Sequence, residues 1–92
     1  MTTALERAGG DAQALQECFY LRALSAQQLG EHRAAIADFT RAIELAPDRA
    51  GAYLRRSWSY HEISERAVAE SDFQVGRRIL DQGHDRGNSA EI

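Results

Sequence analysis

Apolar residues recur every three or four positions through most of this chain, which is the spacing of one face of an α-helix. One stripe includes Leu15, Ala23 and Leu29, and a second includes Ala35 and Phe39. Nowhere do apolar and polar residues alternate in the way that marks a half-buried strand. The pattern therefore predicts an all-α fold.

Turn-forming residues divide the pattern into four segments. Gly30 ends the first helix, and Pro47 with Asp48 separates the second from the third. With Asp11 and Asp48 as N-terminal caps and Ser64 at the start of the last helix, the helices are predicted over about residues 11–29, 32–46, 49–63 and 64–83. Short connections make successive helices antiparallel, so the chain is expected to form two helix pairs.

The two ends lack this pattern. Residues 1–10 contain a T-x-x-E capping box followed by Gly9 and Gly10, so they are expected to be flexible or to form a single helical turn. Residues 84–92 are polar and rich in turn-forming residues, which predicts a disordered tail. The folded domain is thus expected to cover residues 11–83.

The chain resembles itself at an offset of 34 residues, which indicates an internal repeat. Ala35 and Phe39, four residues apart, return as Ala69 and Phe73, and Arg22 returns as Arg56. We call residues 16–49 repeat one and residues 50–83 repeat two.

Side-chain size follows the same repeat. Small residues allow two helix backbones to approach closely where paired helices cross, and large rings fill the space that remains. The small positions are Ala23, Ala35 and Ala42 in repeat one and Ser57, Ala69 and Gly76 in repeat two, and the rings are Phe19, Phe39, Tyr53, Tyr60 and Phe73. We therefore expect Phe39 and Phe73 to be core residues.

This pattern resembles the tetratricopeptide repeat, in which an aromatic position, an A-x3-F motif and a closing proline recur every 34 residues. Here Phe19 and Tyr53 occupy the aromatic position, and Pro47 closes repeat one. The resemblance covers 68 of the 92 residues. It implies a solenoid of tandem helix pairs and a non-catalytic protein-protein interaction module.

Each repeat departs from the family pattern by placing an arginine where the family has leucine. An unpaired guanidinium within an apolar stripe is costly. Arg22 and Asp38 are each eight residues from the turn at Gly30, so the two arms of the hairpin bring them together, and repeat two keeps the same spacing. The predicted structural ion pairs are Arg22–Asp38 and Arg56–Asp72.

In tetratricopeptide repeat proteins the first helices of successive pairs line a concave groove that holds a segment of a partner protein. Glu17 and Gly51 lie on the corresponding faces here. Carried over position by position, the resemblance places the partner-binding groove at Tyr20, Leu24, Gln27, Gln28, Leu54, Trp58, His61 and Glu62. We refer to these eight residues as the groove.

The composition of the groove indicates the kind of ligand. Members of the family that clamp a terminal carboxylate present lysines and asparagines, whereas this groove contains Tyr20, Leu24, Leu54 and Trp58. We expect an apolar or amphipathic protein segment, with Trp58 as its main anchor and the polar groove residues at the rim.

Composition excludes several other functions. The net charge is −3 and all 11 basic residues are arginine, so neither nucleic acid nor a membrane is expected as a partner, and lysine chemistry is absent. His32, His61 and His84 are too scattered for a metal site, and no cofactor motif is found. The lone Cys18 is expected to be buried, and a cytoplasmic, bacterial protein is the expectation.

Two function classes remain open. The first is an adaptor, scaffold or small chaperone that binds its partner in the groove. The second is a structural unit that forms homo-oligomers through an exposed helix surface. Glu70 and Arg77 stand where repeat one has isoleucines, as in a terminal repeat, yet apolar residues remain on the last helix, and two repeats form little core.

Overall fold

The computed structural model describes the backbone of residues 2–91 and the side chains of residues 11–82. Over that backbone the chain forms four helices and no strand: α1 (Thr2–Gln28), α2 (His32–Leu45), α3 (Ala50–Glu62) and α4 (Arg66–Glu91). Helix α1 packs against α2, α3 packs against α4, and α2 packs against α3. The all-α prediction of tandem helix pairs is confirmed. The expected flexibility of residues 1–10 and 84–92 falls outside the described side chains and stays a prediction.

The turns within the two helix pairs have the same backbone geometry. Gly30 has φ +79° and Ser64, 34 residues later, has φ +69°. In the first turn Gly30 N–H donates to the Gln27 carbonyl at 3.0 Å and Glu31 N–H to the Ala26 carbonyl at 2.8 Å, and both bonds recur in the second turn. This is the Schellman motif, in which glycine is usual and serine adopts the left-handed conformation at a steric cost. The repeat thus extends to the backbone.

The three predictions about helix starts were wrong. Asp11 lies inside α1, nine residues after its start, and so is not the N-terminal residue of that helix. Helix α3 is preceded by Arg49 rather than Asp48, and no side-chain cap is formed, because a guanidinium has no acceptor for the first helical N–H groups. The Arg49 side chain instead donates to Glu17 on α1 at 2.6 Å. Ser64 terminates α3 in its Schellman turn, and α4 begins two residues later.

A small core forms around one large side chain. Phe39 is fully buried among Ala23, Ala35 and Ala52, and the Tyr20 ring meets it edge-on at a centroid distance of 5.7 Å. Because alanine allows close approach of the helix backbones, a single phenylalanine fills the remaining space. The six small positions predicted from the sequence are all buried: Ala23, Ala35, Ala42, Ser57, Ala69 and Gly76.

Two residues expected to be buried are exposed. Phe73 keeps 44% of its surface exposed, whereas its counterpart Phe39 keeps none. Helix α3 packs over the α2 face that carries Phe39, and the described part of the chain provides no helix beyond α4 to cover Phe73. Cys18 is exposed because the buried side of α1 is formed instead by residues such as Ala23 and Ala26. Both side chains lie on faces that a further neighbouring helix would cover.

Both anticipated ion pairs are present, each as two parallel hydrogen bonds. Arg22 donates from Nε and Nη2 to the two Asp38 oxygens at 2.7 and 2.9 Å. Arg56 does the same with Asp72 at 2.7 and 2.8 Å. These hydrogen bonds raise the pKa of each guanidinium further above its usual value. Paired in this planar, charge-assisted geometry, the arginines substitute for the leucines of the family pattern.

The surroundings of the two pairs differ. The Arg22 side chain is 70% exposed, whereas that of Arg56 is 16% exposed and that of Asp72 is 8% exposed. The remaining Arg56 nitrogen, Nη1, donates to the Thr40 hydroxyl on α2 at 3.0 Å. Arg56 therefore connects three helices, and Arg22 connects two.

Asp72→Asn should lower the free energy of unfolding by about 3 kcal/mol, because it leaves the buried Arg56 charge without its counter-charge. The matched change, Asp38→Asn, should cost clearly less, because water can solvate the exposed Arg22. Urea unfolding followed by far-ultraviolet circular dichroism measures both. Equal losses would show that burial does not decide the strength of these pairs.

Two glycines lie at close approaches of different kinds. A Cβ atom at Gly76 would lie 2.6 Å from Leu54 Cδ2, 2.7 Å from Leu54 Cγ and 3.2 Å from the Ala50 carbonyl oxygen. A Cβ atom at Gly51 would meet chiefly the hydroxyl of Tyr20, at 2.9 Å, which is the far end of a flexible side chain. Glycine is thus required where α4 crosses α3 at position 76, and position 51 can accommodate a methyl group.

Gly76→Ala should therefore lower the unfolding free energy by about 1 kcal/mol, since overpacking outweighs the gain of about 1 kcal/mol in helix propensity. Gly51→Ala should leave stability unchanged or raise it slightly. Thermal unfolding of the two variants checks this difference. A melting temperature for Gly76→Ala at or above that of Gly51→Ala would contradict it.

Candidate functional site

The eight groove residues line three adjoining concavities, two between α1 and α3 and one between α3 and α4. Trp58 borders all three, and Leu54 borders two of them. Leu24 lies across from Trp58, where it also packs against the buried core. The structure thus brings the predicted residues together on one continuous surface centred on Trp58.

The indole of Trp58 is half exposed and is supported from one side. The His32 ring meets it edge-on, with the centroids 5.1 Å apart and the planes at 75°. His32 Nδ1 in turn lies 3.0 Å from the Ser59 hydroxyl, which is fully buried. His32 therefore anchors the tryptophan to the interior, so that one side of the ring faces solvent in a defined position.

Sequence reasoning missed two residues of this surface. From the sequence, His32 is considered only as a metal ligand. Its position at the start of α2 is the one feature of the sequence that indicates a contact with Trp58. Arg55 lines the groove beside Trp58 and contributes a positive charge there. The sequence prediction of the groove uses only the positions that line it in the tetratricopeptide repeat family. Arg55 lies between two of these positions, Leu54 and Trp58, and is therefore not among them.

Gln27 is a buried structural residue and does not lie at the solvent-facing rim of the groove, where the sequence prediction places it. Its side chain is buried, and its amide nitrogen donates to the Arg55 carbonyl at 2.6 Å and to the Ser59 hydroxyl at 2.8 Å. These bonds join α1 to α3 beneath the groove surface. Assigning Gln27 to the solvent-facing rim was wrong, because its hydrogen-bonding groups are directed at α3.

The Tyr20 ring packs against side chains from two other parts of the chain. It is half-buried, with the Arg49 guanidinium 3.7 Å from the ring centroid on one side and Phe39 edge-on elsewhere. Arg49 is fixed by Glu17 at 2.6 Å and by Gln16 at 3.1 Å. Tyr20 thus forms part of the groove floor, and its hydroxyl end lies close to Gly51 on α3.

The remaining polar groove residues are exposed along its edge. Gln28 lies beside the concavity next to Leu24, and His61 and Glu62 lie beside the one that extends towards α4. Together with Arg55 they surround the apolar centre with both signs of charge. Such a surface can bury apolar side chains at its centre and form hydrogen bonds at its rim.

Metal and membrane chemistry find no support in the described part of the chain. Among those residues, no three His, Cys, Asp or Glu side chains cluster so as to hold a metal ion. None of the helices, as far as the description extends, combines the length and apolar character of a membrane span.

Comparison with known proteins gives one match. Residues 17–49 match the family model for the tetratricopeptide repeat, which covers nearly all of repeat one. Neither the curated proteins nor the solved structures contain a match to the chain. Repeat two falls outside the matched segment, although its turn and its ion pair reproduce those of repeat one.

Alanine at Gln27 should destabilise the protein more than alanine at its neighbour Gln28, because the Gln27 amide is buried and the Gln28 amide is exposed. Gln27→Ala removes the two hydrogen bonds that join α1 to α3, leaving the buried Ser59 hydroxyl with His32 alone, and should cost about 1–3 kcal/mol of unfolding free energy. Gln28→Ala, at an exposed position, should change stability by less than about 0.5 kcal/mol. Chemical denaturation of both variants measures the difference, and similar values would contradict the structural role of Gln27.

Proposed function

Because residues 17–49 form a tetratricopeptide repeat, a unit that generally serves protein-protein interaction, we propose that this chain is a non-catalytic binding module. Its groove holds an apolar or amphipathic segment of a partner protein. The roles that fit this activity are those of an adaptor, a scaffold or a small chaperone. All three depend on the same surface around Trp58.

The position of Trp58 carries the proposal. Half of its surface is exposed, and it borders all three concavities that contain groove residues, the two between α1 and α3 and the one between α3 and α4. Tryptophan is enriched among the residues that contribute most to binding energy, because it buries a large area and has few rotatable bonds. Contact with His32 fixes the ring before any ligand arrives, which lowers the entropic cost of binding.

The surroundings of Trp58 favour an amphipathic ligand. Leu24 and Leu54 extend the apolar surface on either side of the indole. Arg55 and Glu62 place opposite charges near its edge, which suits a segment with apolar anchors and polar flanks. A binder of terminal carboxylates would need a cluster of positive charge and amides at the centre, where this groove has leucine and tryptophan.

Trp58→Ala should weaken binding of a cognate peptide by about 30-fold, or about 2 kcal/mol, while leaving helicity nearly intact. The ligand can be obtained by selecting a displayed library of amphipathic peptides on the wild-type protein. Since Trp58 is the chain's one tryptophan, its fluorescence reports the titration of the wild type directly. Isothermal titration calorimetry compares the variants.

Val68→Ala is the matched control, because Val68 is an exposed apolar residue on α4 outside the groove lining. Its affinity for the selected peptides should equal that of the wild type. If Trp58→Ala binds the selected peptides as tightly as the wild type, the ligand does not bind in the groove. The same conclusion follows if no selected peptide contacts Trp58.

A further inference from the structure

A cleft between α3 and α4 is open in this structure. It is lined by Ser57, Arg66, Ala69, Glu70 and Phe73 and is bordered by the groove residues Leu54, Trp58, His61 and Glu62; we call it the terminal cleft. Ser57 and Ala69 are buried at its base, and the Ser57 hydroxyl donates to the Ala69 carbonyl at 2.7 Å. Phe73 stands half exposed at its side.

Repeat one contains the same cleft, and there it is filled. Thirty-four residues upstream, the equivalent positions are Ala23, Gln27, His32, Ala35, Ile36 and Phe39. Helix α3 occupies that cleft and presents two small residues to it. Ala52 joins the core cluster, and the fully buried Ser59 bonds to Gln27 at 2.8 Å and approaches His32 to 3.0 Å. The chain itself therefore shows what kind of helix this cleft accepts.

Helix α1 carries the same docking face, and that face is exposed. Cys18 and Ser25 are the equivalents of Ala52 and Ser59, again seven residues apart, and both are exposed. Large apolar side chains flank this pair, with Leu15, Leu21 and Leu29 exposed by 46, 52 and 72%. One end of the molecule thus presents the docking face, and the other end presents the cleft.

The equivalence of the two ends extends to a hydrogen bond between helix pairs. Arg22 uses Nε and Nη2 for Asp38. In its counterpart Arg56 the third nitrogen, Nη1, reaches Thr40 on the preceding helix pair. The residue 34 positions after Thr40 is Gln74, an exposed amide on α4 that can accept such a bond.

From this equivalence we propose that the chain assembles head to tail, with α1 of one copy docked in the terminal cleft of the next. The contact continues the interface that already joins the two repeats. Ser25 takes the place of Ser59 against His61 of the neighbouring copy, and Arg22 reaches its Gln74. Such a contact joins different surfaces of the two copies, so it extends into an open chain unless the rotation closes a ring.

The proposal does not depend on the binding function of the groove. Ser25 and Phe73, which carry it, are not among the eight groove residues, so these variants replace no groove side chain, and Ser25 also lies outside the concavity that Phe73 shares with Trp58. A contact between identical surfaces, such as two α4 helices, would instead give a dimer and stop there.

Sedimentation velocity over a concentration series tests the assembly. The wild-type mass should rise with concentration beyond that of a dimer. Ser25→Arg places a long charged side chain on the docking face and should remain monomeric. Ser71→Arg makes the same change at an exposed serine on α4 outside the cleft lining, and it should behave as the wild type.

A mixing experiment identifies the head-to-tail arrangement. Phe73→Glu damages the cleft and should also be monomeric alone. Mixed with Ser25→Arg, it should form a complex of two copies and nothing larger, because one partner supplies an intact cleft and the other an intact α1 face. Circular dichroism verifies that both variants are folded.

The thiol of Cys18 gives a second measurement that needs no cleft variant. Its reaction with a thiol reagent should slow as the wild-type concentration rises, and should stay constant in Ser25→Arg. A wild type that is monomeric at all concentrations, a dimer that grows no further, or a mixture that fails to pair would each overturn the proposal.

Discussion

The position of α3 depends on the buried guanidinium of Arg56. It is bound to Asp72 on α4 through two hydrogen bonds and to Thr40 on α2 through a third. A charge at this depth is tolerated only when its donors are satisfied, so α2, α3 and α4 are constrained to one relative arrangement. Leu54 and Trp58, on the same helix, are thereby placed on the groove surface.

The small size of the buried side chains is the second constraint. Among the described residues, Phe39 is the one large apolar side chain with no exposed surface, and most of the other buried apolar positions are alanines. Alanines and glycine bring the helices together, but they leave the bulkier residues outside, as at Leu21 and Leu29. Stability in such an array comes from contacts between neighbouring units, and among the described residues the outer faces of α1 and α4 keep large apolar side chains exposed.

The sequence predicted features that depend on spacing within one helical hairpin. The helix pairs and both arginine–aspartate pairs follow from the apolar period and from equal distances to the turns. The sequence-based predictions were wrong where the environment of a side chain depends on a neighbouring helix. Arg49 bonds to α1 in place of a cap at Asp48, Phe73 has no helix over it, and Gln27 faces α3 in place of solvent. Beyond the position of His32 at the start of α2, nothing in the sequence indicates its contact with Trp58.

Equivalent residues in the two repeats show how much a neighbouring helix changes. Ser59 is fully buried and Ser25 is exposed, although both occupy the same position of the repeat. A neighbouring helix would also change the surroundings of the groove residues. Within the chain, Tyr20 on α1 lies beside Gly51 on α3, so the groove already crosses one helix interface of this kind. By the same equivalence, a copy docked in the terminal cleft would bring its own Leu24 across from Trp58, as Leu24 and Trp58 face each other within the chain, and would lengthen the groove. A ligand segment spanning both copies would then gain affinity from assembly, since its second contact would be intramolecular.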